Sequence, residues 1–423
     1  MQNIMIDYSQ ALSLVRQAVR PLDLEWATVG PALAGRVLAT SLISEMWLPP
    51  FDNSSMDGFA LDTGEAGLPA GSELAVRGWQ AAGDLHQQAD GGAWEIMTGA
   101  QLPAGLNAVV PVEQVEVLAR EAGRPTSIRL TQPVASGQFV RYRGDDIPAG
   151  REVIAAGTVL RAQEIMLLAA LGIARVQVRR RPRVAVIATG RELVSDPAQA
   201  LRSGQIRDSN RPFLLAQLQA AGAEVVWESV VGDESMLFQH ALDQALARGA
   251  EVILSTGAVS AGRYDFIPDA LRARGAQIVF HKVAIRPGKP LLLAKLSEGA
   301  LHFGLPGNPV STAVGLRFFV EPALRAMFGQ PSEQPLRAAL KSAFGKVPQL
   351  RFHARALVSL DGAGALEVEI MQGQESFRVL PMVQANAWAV IPEGQPGGAR
   401  GEPVEVYGLG HWQPIQLVAA PRT

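Results

Sequence analysis

The 423-residue sequence contains no cysteine, and histidine is scarce, with six residues. The lack of cysteine excludes disulfide bonds, iron–sulfur clusters, cysteine-ligated zinc and a thiol nucleophile. The histidines include no pair at a metal-ligand spacing such as His-x-x-x-His. The sequence therefore excludes cysteine chemistry and gives no support for a histidine-based metal site.

The chain also lacks a strong charge of either sign and any long apolar run. Its formal net charge is −2, so it has no general basic field with which to bind nucleic acid. No segment approaches the ~18 apolar residues of a membrane-spanning helix, and Asp7 interrupts the region where a signal peptide would be apolar. These absences predict a cytoplasmic protein with neither a membrane nor a nucleic-acid partner.

Apolar residues are abundant, at 48%, and the length predicts about two to four domains. Apolar positions at helical spacing predict a helix over 9–19, which Asp7 or Ser9 can cap. Short apolar segments between about 59 and 142 alternate with Gly and Pro turns and predict a β-rich unit. Strands also dominate from Pro331 onward, which suggests a small β-barrel.

The segment 183–329 has a different pattern. Continuous apolar strands, as in RVAVIATG and EVILSTG, alternate with helical patterns that begin near residues 211, 235 and 311. This alternation predicts a parallel sheet covered by helices on both faces. Ligands of such sheets bind beyond the carboxyl ends of the strands.

Both of these strands end in Thr-Gly, at Thr189–Gly190 and Thr256–Gly257. A hydroxyl and free backbone N–H groups at the start of a following turn can bind an anion. Each pair alone is more often an ordinary strand-to-helix turn, but two pairs in one sheet make an anion site an equally good interpretation. Neither a G-x-G-x-x-G motif nor a complete P-loop is present, which argues against a dinucleotide dehydrogenase or a P-loop kinase.

Two further segments have the composition of an anion site. HKVAIRPGKP places Lys282, Arg286 and Lys289 on a segment stiffened by prolines, which suits a multiply charged anion. In GLPGNPVS, glycines and prolines constrain the backbone, and Ser311 is expected to begin a helix whose first N–H groups are open. A solvated basic edge and a structural turn are the respective alternatives.

Carboxylates recur in turn-like contexts, and each one alone is most simply a capping or turn residue. Several carboxylates at one anion-binding edge would need a cation, and Mg²⁺ uses one or two carboxylates together with substrate phosphates. The carboxylates are those of Asp57, Asp145, Asp146, Glu192, Asp208, Asp233 and Asp265.

Eight motifs carry a family resemblance: FDNSSMDGFA, IMTGAQLP, RGDDI, TGREL, IRDSN, STGAVSAGRYDF, KVAIRPGKP and GLPGNPVS. In their order and spacing they resemble the MoeA family of molybdenum-cofactor synthesis, which is similar to the E domain of gephyrin. The resemblance covers nearly the whole chain and is weakest after about residue 330. No single motif is decisive, but the eight in order are highly specific.

The resemblance implies a multidomain fold of α/β and β parts. These are an N-terminal linking domain (1–46 and 143–180), a β-rich inserted domain (47–142), a central doubly wound α/β molybdopterin-binding domain (181–330) and a C-terminal β-barrel domain (331–423). It also implies a homodimer, in which the β-rich part of one subunit meets the α/β domain of its partner and forms a composite site.

The implied reaction is insertion of molybdate into adenylylated molybdopterin, with Mg²⁺-dependent release of AMP, and molybdopterin adenylyltransferase is the implied partner. The implied catalytic residues are Asp57, Thr98, Glu192 and Asp265, and the implied metal ligands are Asp57, Asp146 and Glu192. The implied substrate-binding residues are Thr189, Gly190, Asp208, Asp233, Ser255, Thr256, Gly257, Lys282, Arg286, Lys289, Pro306, Gly307, Asn308 and Pro309.

The sequence departs from the family pattern at Arg191, Ala258, Arg263 and Arg286, where relatives commonly have Asp or Asn, Gly, an acidic residue and Lys, respectively. Arg191 and Arg263 make the site edge more positive, and Ala258 is costly only if its φ is positive. Two other functions stay open. One is a paralogue that binds or scaffolds molybdopterin without inserting metal. The other is a nucleotide pyrophosphatase of the CinA group, against which the long β-rich insert speaks.

Overall fold

The structure, a computed structural model, describes residues 5–259 and 266–417. Within these residues the strands form three six-stranded sheets, one three-stranded sheet and four two-stranded sheets. None of the helices in this part of the chain is long and apolar enough to cross a membrane.

The first helix, Tyr8–Ala18, confirms the first predicted helix. The Asp7 carboxylate caps it by accepting a hydrogen bond from the backbone N–H of Gln10 at 2.7 Å. Ala11 and Val15 on its inner face are fully buried in the largest hydrophobic core of the molecule. The N-terminal helix therefore packs against the α/β part of the chain.

Two separate segments of the first 180 residues pair with each other. The strand Arg175–Arg179 lies in the middle of a three-stranded sheet, antiparallel to Leu24–Thr28 and to Val37–Leu38. Leu42–Ile43 pairs in the same way with Glu152–Ile154. The helical elements of this unit are Pro31–Leu33, a 3₁₀ turn, and Ala162–Ala170, an α-helix. The chain thus leaves the unit after residue 43 and returns to it before residue 152.

Residues 48–147 lie between these two segments and form a β-rich lateral unit. A short ladder, Asn53–Ser54 with Val140–Arg141, joins the two ends of the unit. Phe59, near the end of the polar FDNSSMDGFA stretch, is 1% exposed in the core of the unit and anchors that stretch. The six strands of the main sheet, in order across it, are Ala108–Pro111, Gly58–Leu61, Ala93–Ile96, Glu73–Gln80, Arg124–Leu130 and Val115–Glu121, and the 3₁₀ turn Val112–Gln114 joins two of them.

The α/β unit contains the central six-stranded sheet. Its strands, in order, are Glu224–Val231, Arg183–Thr189, Val252–Thr256, Leu301–Leu305, Leu292–Lys295 and Gln277–His281. The first four are mutually parallel, as predicted. Leu292–Lys295 runs antiparallel to both neighbours, so the predicted parallel sheet contains one antiparallel strand. Only five residues join it to Leu301–Leu305, too few for the crossover that a parallel pair requires, and the two strands form a hairpin instead.

Helices cover both faces of this sheet. Asn210–Ala220 and a continuous helical run over 309–327 pack on one face, and Ser235–Ala247 and Ile267–Ala273 pack on the other. Alternate residues of the strand Arg183–Thr189 enter the two cores, as expected for a strand buried on both sides. The helical run consists of Pro309–Gly315, a π-helical stretch Leu316–Val320, and Glu321–Met327.

The C-terminal strands close into a five-stranded barrel. Arg351–Leu360 pairs with Leu366–Ile370 on one side and with Ala387–Ile391 on the other, which closes the ring. Leu336–Leu340 and Pro403–Tyr407 complete the barrel. This closed barrel and the mixed sheets with helices confirm the predicted fold class. The short elements of the barrel unit are Phe344–Gly345, Gly397–Gly398 and the helix Leu380–Gln384.

Candidate active site

A pocket of about 840 Å³ opens at the carboxyl ends of the parallel strands. Parallel strands place these ends along one edge of a sheet, so residues distant in sequence meet there. The pocket brings together nine of the residues implied by the family resemblance, namely Thr189, Glu192, Asp208, Asp233, Thr256, Gly257, Gly307, Asn308 and Pro309. Their roles in binding stay predictions.

The two Thr-Gly turns meet at the base of this pocket. The Thr189 hydroxyl donates to the Thr256 carbonyl at 2.9 Å. The N–H groups of Gly190 and Gly257 donate to the carbonyls of Val231 and Leu305 on the neighbouring strands, at 3.1 and 3.0 Å. The expectation of free N–H groups is therefore wrong at these two glycines, because the hydrogen bonds of the sheet continue one residue beyond the strands.

Close packing explains why glycine stands at position 257. Its φ is +89°, and a Cβ there would lie 2.8 Å from the carbonyl oxygen of Thr189. The next residue, Ala258, also has a positive φ, of +50°. A left-handed conformation is unfavourable for any residue with a Cβ. Alanine at position 258, where relatives commonly have glycine, therefore strains the backbone.

The carboxylates in the pocket differ in how they are engaged. The Asp208 side chain is 1% exposed and forms an ion pair with Arg211 at 2.8 Å, so it caps and braces the following helix. One oxygen of Asp233 accepts the backbone N–H of Arg191 at 3.2 Å. The Glu192 carboxylate lies against Gly190, where a Cβ would be 2.7 Å from its Oε1 atom. Of the three implied carboxylates in the pocket, Glu192 and Asp233 are thus better placed than Asp208 to meet a ligand.

The pocket as a whole is acidic. Its charged side chains give a formal net charge of −2 and are those of Arg191, Arg207, Glu192, Asp208, Asp233 and Glu234. The Arg207 guanidinium already donates to the carbonyls of Asp196 and Gln199, both at 2.6 Å. An anionic ligand therefore needs an additional cation in this pocket.

The GLPGNPVS segment forms one wall of the pocket. The helix begins at Pro309 and not at Ser311, which is 4% exposed within the first turn. The N–H of Val310 donates to the carbonyl of Ser376 at 3.0 Å, so this end of the helix is less open than expected. The Asn210 side chain donates to the Gly307 carbonyl at 2.7 Å and holds the wall against the opposite helix.

The three predicted cations lie outside the pocket lining. Lys282 has a φ of +80°, and its backbone bonds to Leu291 and Ile6. Arg286 is exposed beside the barrel, with its guanidinium 5.8 Å from the ring centre of Phe352. Lys289 is exposed on the same segment. The implied residues Gly190, Ser255 and Pro306 also do not line the pocket, although each adjoins a lining residue in sequence or in its strand.

The lateral unit presents a second group of implied residues. The Asp57 carboxylate accepts the backbone N–H of Thr98 at 2.7 Å and its hydroxyl at 2.9 Å. These two hydrogen bonds lower the pKa of Asp57, which is fully exposed. Asp146 is also exposed, and its N–H bonds to the carbonyl of Leu48. None of Asp57, Thr98 and Asp146 lines the pocket of the same chain.

Within residues 5–259 and 266–417, no group of three or more histidines and carboxylates is arranged to hold a metal ion. One chain therefore does not assemble Asp57, Asp146 and Glu192 into a metal site. Asp265 and Arg263 lie outside the described residues.

Several pocket residues were absent from the predicted site. Asn210 and Ser209 belong to the IRDSN motif, and the motif itself was a usable signal. Phe377 comes from the barrel unit, and no local pattern connects it with the pocket. The lining residues beyond the predicted set are Arg191, Leu193, Ile206, Arg207, Ser209, Asn210, Gly232, Glu234, Ala258 and Phe377.

Three family models match successive parts of the chain. The MoeA N-terminal region (domain I and II) matches residues 6–172, a probable molybdopterin binding domain matches 185–326, and the MoeA C-terminal region (domain IV) matches 337–409. Together they span most of the chain and correspond in order to the units of the fold.

Whole-chain relatives agree with these models. A protein of Synechococcus elongatus named molybdopterin molybdenumtransferase is 38% identical, over 96% of this chain and 100% of its own. A protein of the same name from Haemophilus influenzae is 34% identical, over 96% and 99%. The crystal structure of a molybdopterin biosynthesis MoeA protein from Pyrococcus horikoshii matches with a TM-score of 0.77 and 29% identity, over 97% of this chain and 100% of that one.

Proposed function

Because this chain belongs to the MoeA family, we propose that it inserts molybdate into adenylylated molybdopterin and releases AMP in a Mg²⁺-dependent reaction. The chain is an enzyme of molybdenum-cofactor biosynthesis, as are its relatives named molybdopterin molybdenumtransferase. Molybdopterin adenylyltransferase is then the partner enzyme that supplies the substrate, and the cytoplasm is the proposed location.

The acidic pocket of the α/β unit is the observation that carries this proposal. The substrate contains a pyrophosphate link and molybdate is a dianion, whereas the pocket has a formal charge of −2. Binding such ligands in this pocket requires a cation between carboxylates and phosphates. The dithiolene sulfurs belong to the substrate, so a protein without cysteine suits the reaction.

Mg²⁺ fits the donors that the pocket offers. This ion demands oxygen ligands and is commonly held by one or two carboxylates plus substrate phosphates. Glu192 provides such a carboxylate in this pocket, and Asp57 and Asp146 are the other predicted ligands. When bound, Mg²⁺ polarises the phosphate that is cleaved and neutralises its charge.

The lateral unit supplies the other half of the proposed site. Asp57 is fully exposed and held ionised by Thr98, yet it lies outside the pocket of its own chain. We propose a homodimer in which Asp57, Thr98 and Asp146 of one subunit face the pocket of the other. Lys282, Arg286 and Lys289 then bind molybdate or the phosphates. Asp57 and Asp146 join Glu192 around the metal only in this composite site.

The role of Glu192 is tested by titrating Mg²⁺ in single-turnover reactions with adenylylated molybdopterin and molybdate. We expect Glu192→Gln to release AMP much more slowly and to need more Mg²⁺ for its half-maximal rate. Glu224→Gln is the matched control, because Glu224 is an exposed carboxylate at the opposite end of a strand in the same sheet. Equal Mg²⁺ dependence in both variants and the wild type would contradict the proposed site.

A further inference from the structure

Phe377 provides an exposed aromatic ring in the pocket. It belongs to the barrel unit, yet it lines the pocket of the α/β unit. Of its surface, 63% is exposed. Among the described residues that line the pocket, it is the only aromatic one.

The segment that carries Phe377 is fixed by a buried arginine. Arg355 is fully buried, and its guanidinium donates to the carbonyls of Gly373 at 2.9 Å, Glu375 at 3.3 Å and Arg378 at 2.5 Å. Burying a guanidinium is costly unless its donors are satisfied. These bonds reach the backbone on both sides of Phe377, so they hold its position.

Two further contacts support the same segment. The side chain of Gln374 donates to the Arg355 carbonyl at 2.8 Å and accepts the Arg355 N–H at 3.1 Å. The Ser376 carbonyl accepts the N–H of Val310 at 3.0 Å, which ties the segment to the helix that begins beside the pocket. The backbone next to Phe377 is thus bound both to the barrel and to the helix that forms one wall of the pocket.

The geometry points to a binding role for this ring: we propose that Phe377 is a stacking platform for a flat heterocycle of the substrate. The inference rests on the proposed function, since the adenylylated substrate carries two such groups, a pterin and an adenine. Stacking needs only the π face of the ring, and a backbone that is already fixed has no ordering cost of its own to add on binding. No other aromatic ring of the described pocket lining offers that contact.

The proposal is tested with Phe377→Ala, Phe377→Leu and Phe377→Tyr. AMP binding is measured by calorimetry, molybdopterin binding under anaerobic conditions, and kcat and KM with the adenylylated substrate. We expect Phe377→Ala to weaken binding roughly 5- to 150-fold, the range for one base stacked on an aromatic side chain. Phe377→Leu should resemble Phe377→Ala, Phe377→Tyr should resemble the wild type, and KM should change far more than kcat.

Leu380→Ala is the matched control. Leu380 is 67% exposed on the same unit and does not line the pocket, so its truncation should leave all affinities unchanged. A loss confined to AMP would identify adenine as the stacked group, and a loss confined to molybdopterin would identify the pterin.

Three results would overturn the platform. The first is unchanged affinity of Phe377→Ala for AMP and for molybdopterin. The second is wild-type affinity in Phe377→Leu. The third is a change in subunit association without any change in affinity. The inference and the proposed function fail separately. If the wild type binds AMP through Phe377 but shows no molybdate-dependent turnover, only the function fails. If turnover is present and Phe377→Ala is as active and as tight as the wild type, only the platform fails.

Discussion

If two subunits build each active site, two inactive variants should restore activity when their subunits exchange. The variants are Asp57→Ala, in the lateral unit, and Glu192→Ala, in the pocket of the α/β unit. Within one chain the pocket contains neither Asp57 nor its hydrogen-bond partner Thr98. Since Asp57 is fully exposed, we expect its replacement to leave the fold intact. Cofactor formation should fall to about a tenth of the wild-type rate or less, because the composite site loses a carboxylate that acts on the substrate.

The size of the rescue follows from the arrangement of the sites. In a mixed dimer, one site contains both lesions and the other contains neither. Random exchange in an equimolar mixture makes about half of the dimers mixed, so about a quarter of all sites should be intact in a two-fold symmetric dimer. The assay measures AMP release per subunit after native mass spectrometry has shown that mixed dimers are present.

A site built within one chain makes the opposite prediction. Each subunit of the mixed dimer would then carry its own lesion, and no site would be intact. Activity that stays at the level of the separate variants, despite demonstrated exchange, would refute the composite site. Asp57→Ala mixed with Thr98→Ala is the matched control, because both lesions lie in the lateral unit and every site of the mixed dimer keeps one of them.

Three other perturbations probe the strain, the cations and the buried charge. Ala258→Gly should raise the free energy of unfolding by roughly 0.5–1 kcal/mol in urea titrations, because relief of a left-handed alanine outweighs the added freedom of the unfolded chain. The control Ala34→Gly, at an exposed residue with a φ of −58°, should lower the free energy of unfolding. A lower free energy of unfolding in Ala258→Gly would contradict the argument. Arg286→Ala should weaken substrate binding by roughly 1.5–3 kcal/mol, whereas Arg286→Lys should keep most of the activity because the positive charge is retained. Unchanged KM and kcat in Arg286→Ala would show that the KVAIRPGKP segment has only a structural role. Burial raises the pKa of Glu321 to about 8, although Arg317 lies 3.4 Å away. The folded state therefore keeps a proton that the unfolded state releases near pH 4.5, and the free energy of unfolding should fall as the pH rises from about 4.5 to about 8. Glu321→Gln should flatten this part of the stability profile, and an unchanged slope would show that Glu321 is ionised throughout.

Local sequence patterns predicted much of the fold because they act over short distances. The helix Tyr8–Ala18 follows from apolar spacing and the Asp7 cap, and the parallel strands follow from continuous apolar runs. The antiparallel strand Leu292–Lys295 was missed, since its own composition resembles that of its parallel neighbours. The five-residue connection after it was the signal that decides its direction.

The ends of the parallel strands predicted that Thr189 and Thr256 lie close together, and both line the pocket. Contacts between units have no such local signal. Phe377 reaches the pocket only because the barrel packs beside the helix that begins at Pro309. The N–H groups of Gly190 and Gly257 were expected to be free, but the neighbouring strands extend far enough to accept them.

The most direct test of the proposed reaction is the stoichiometry of AMP and inserted molybdenum. The purified protein is incubated anaerobically with adenylylated molybdopterin, Mg²⁺ and increasing molybdate, and AMP and protein-bound or released molybdenum cofactor are measured together. We predict that AMP release requires molybdate and that one molybdenum is inserted for each AMP released. AMP release that is independent of molybdate would indicate a pyrophosphatase, tight binding without AMP release would indicate a scaffold, and either result would contradict the account.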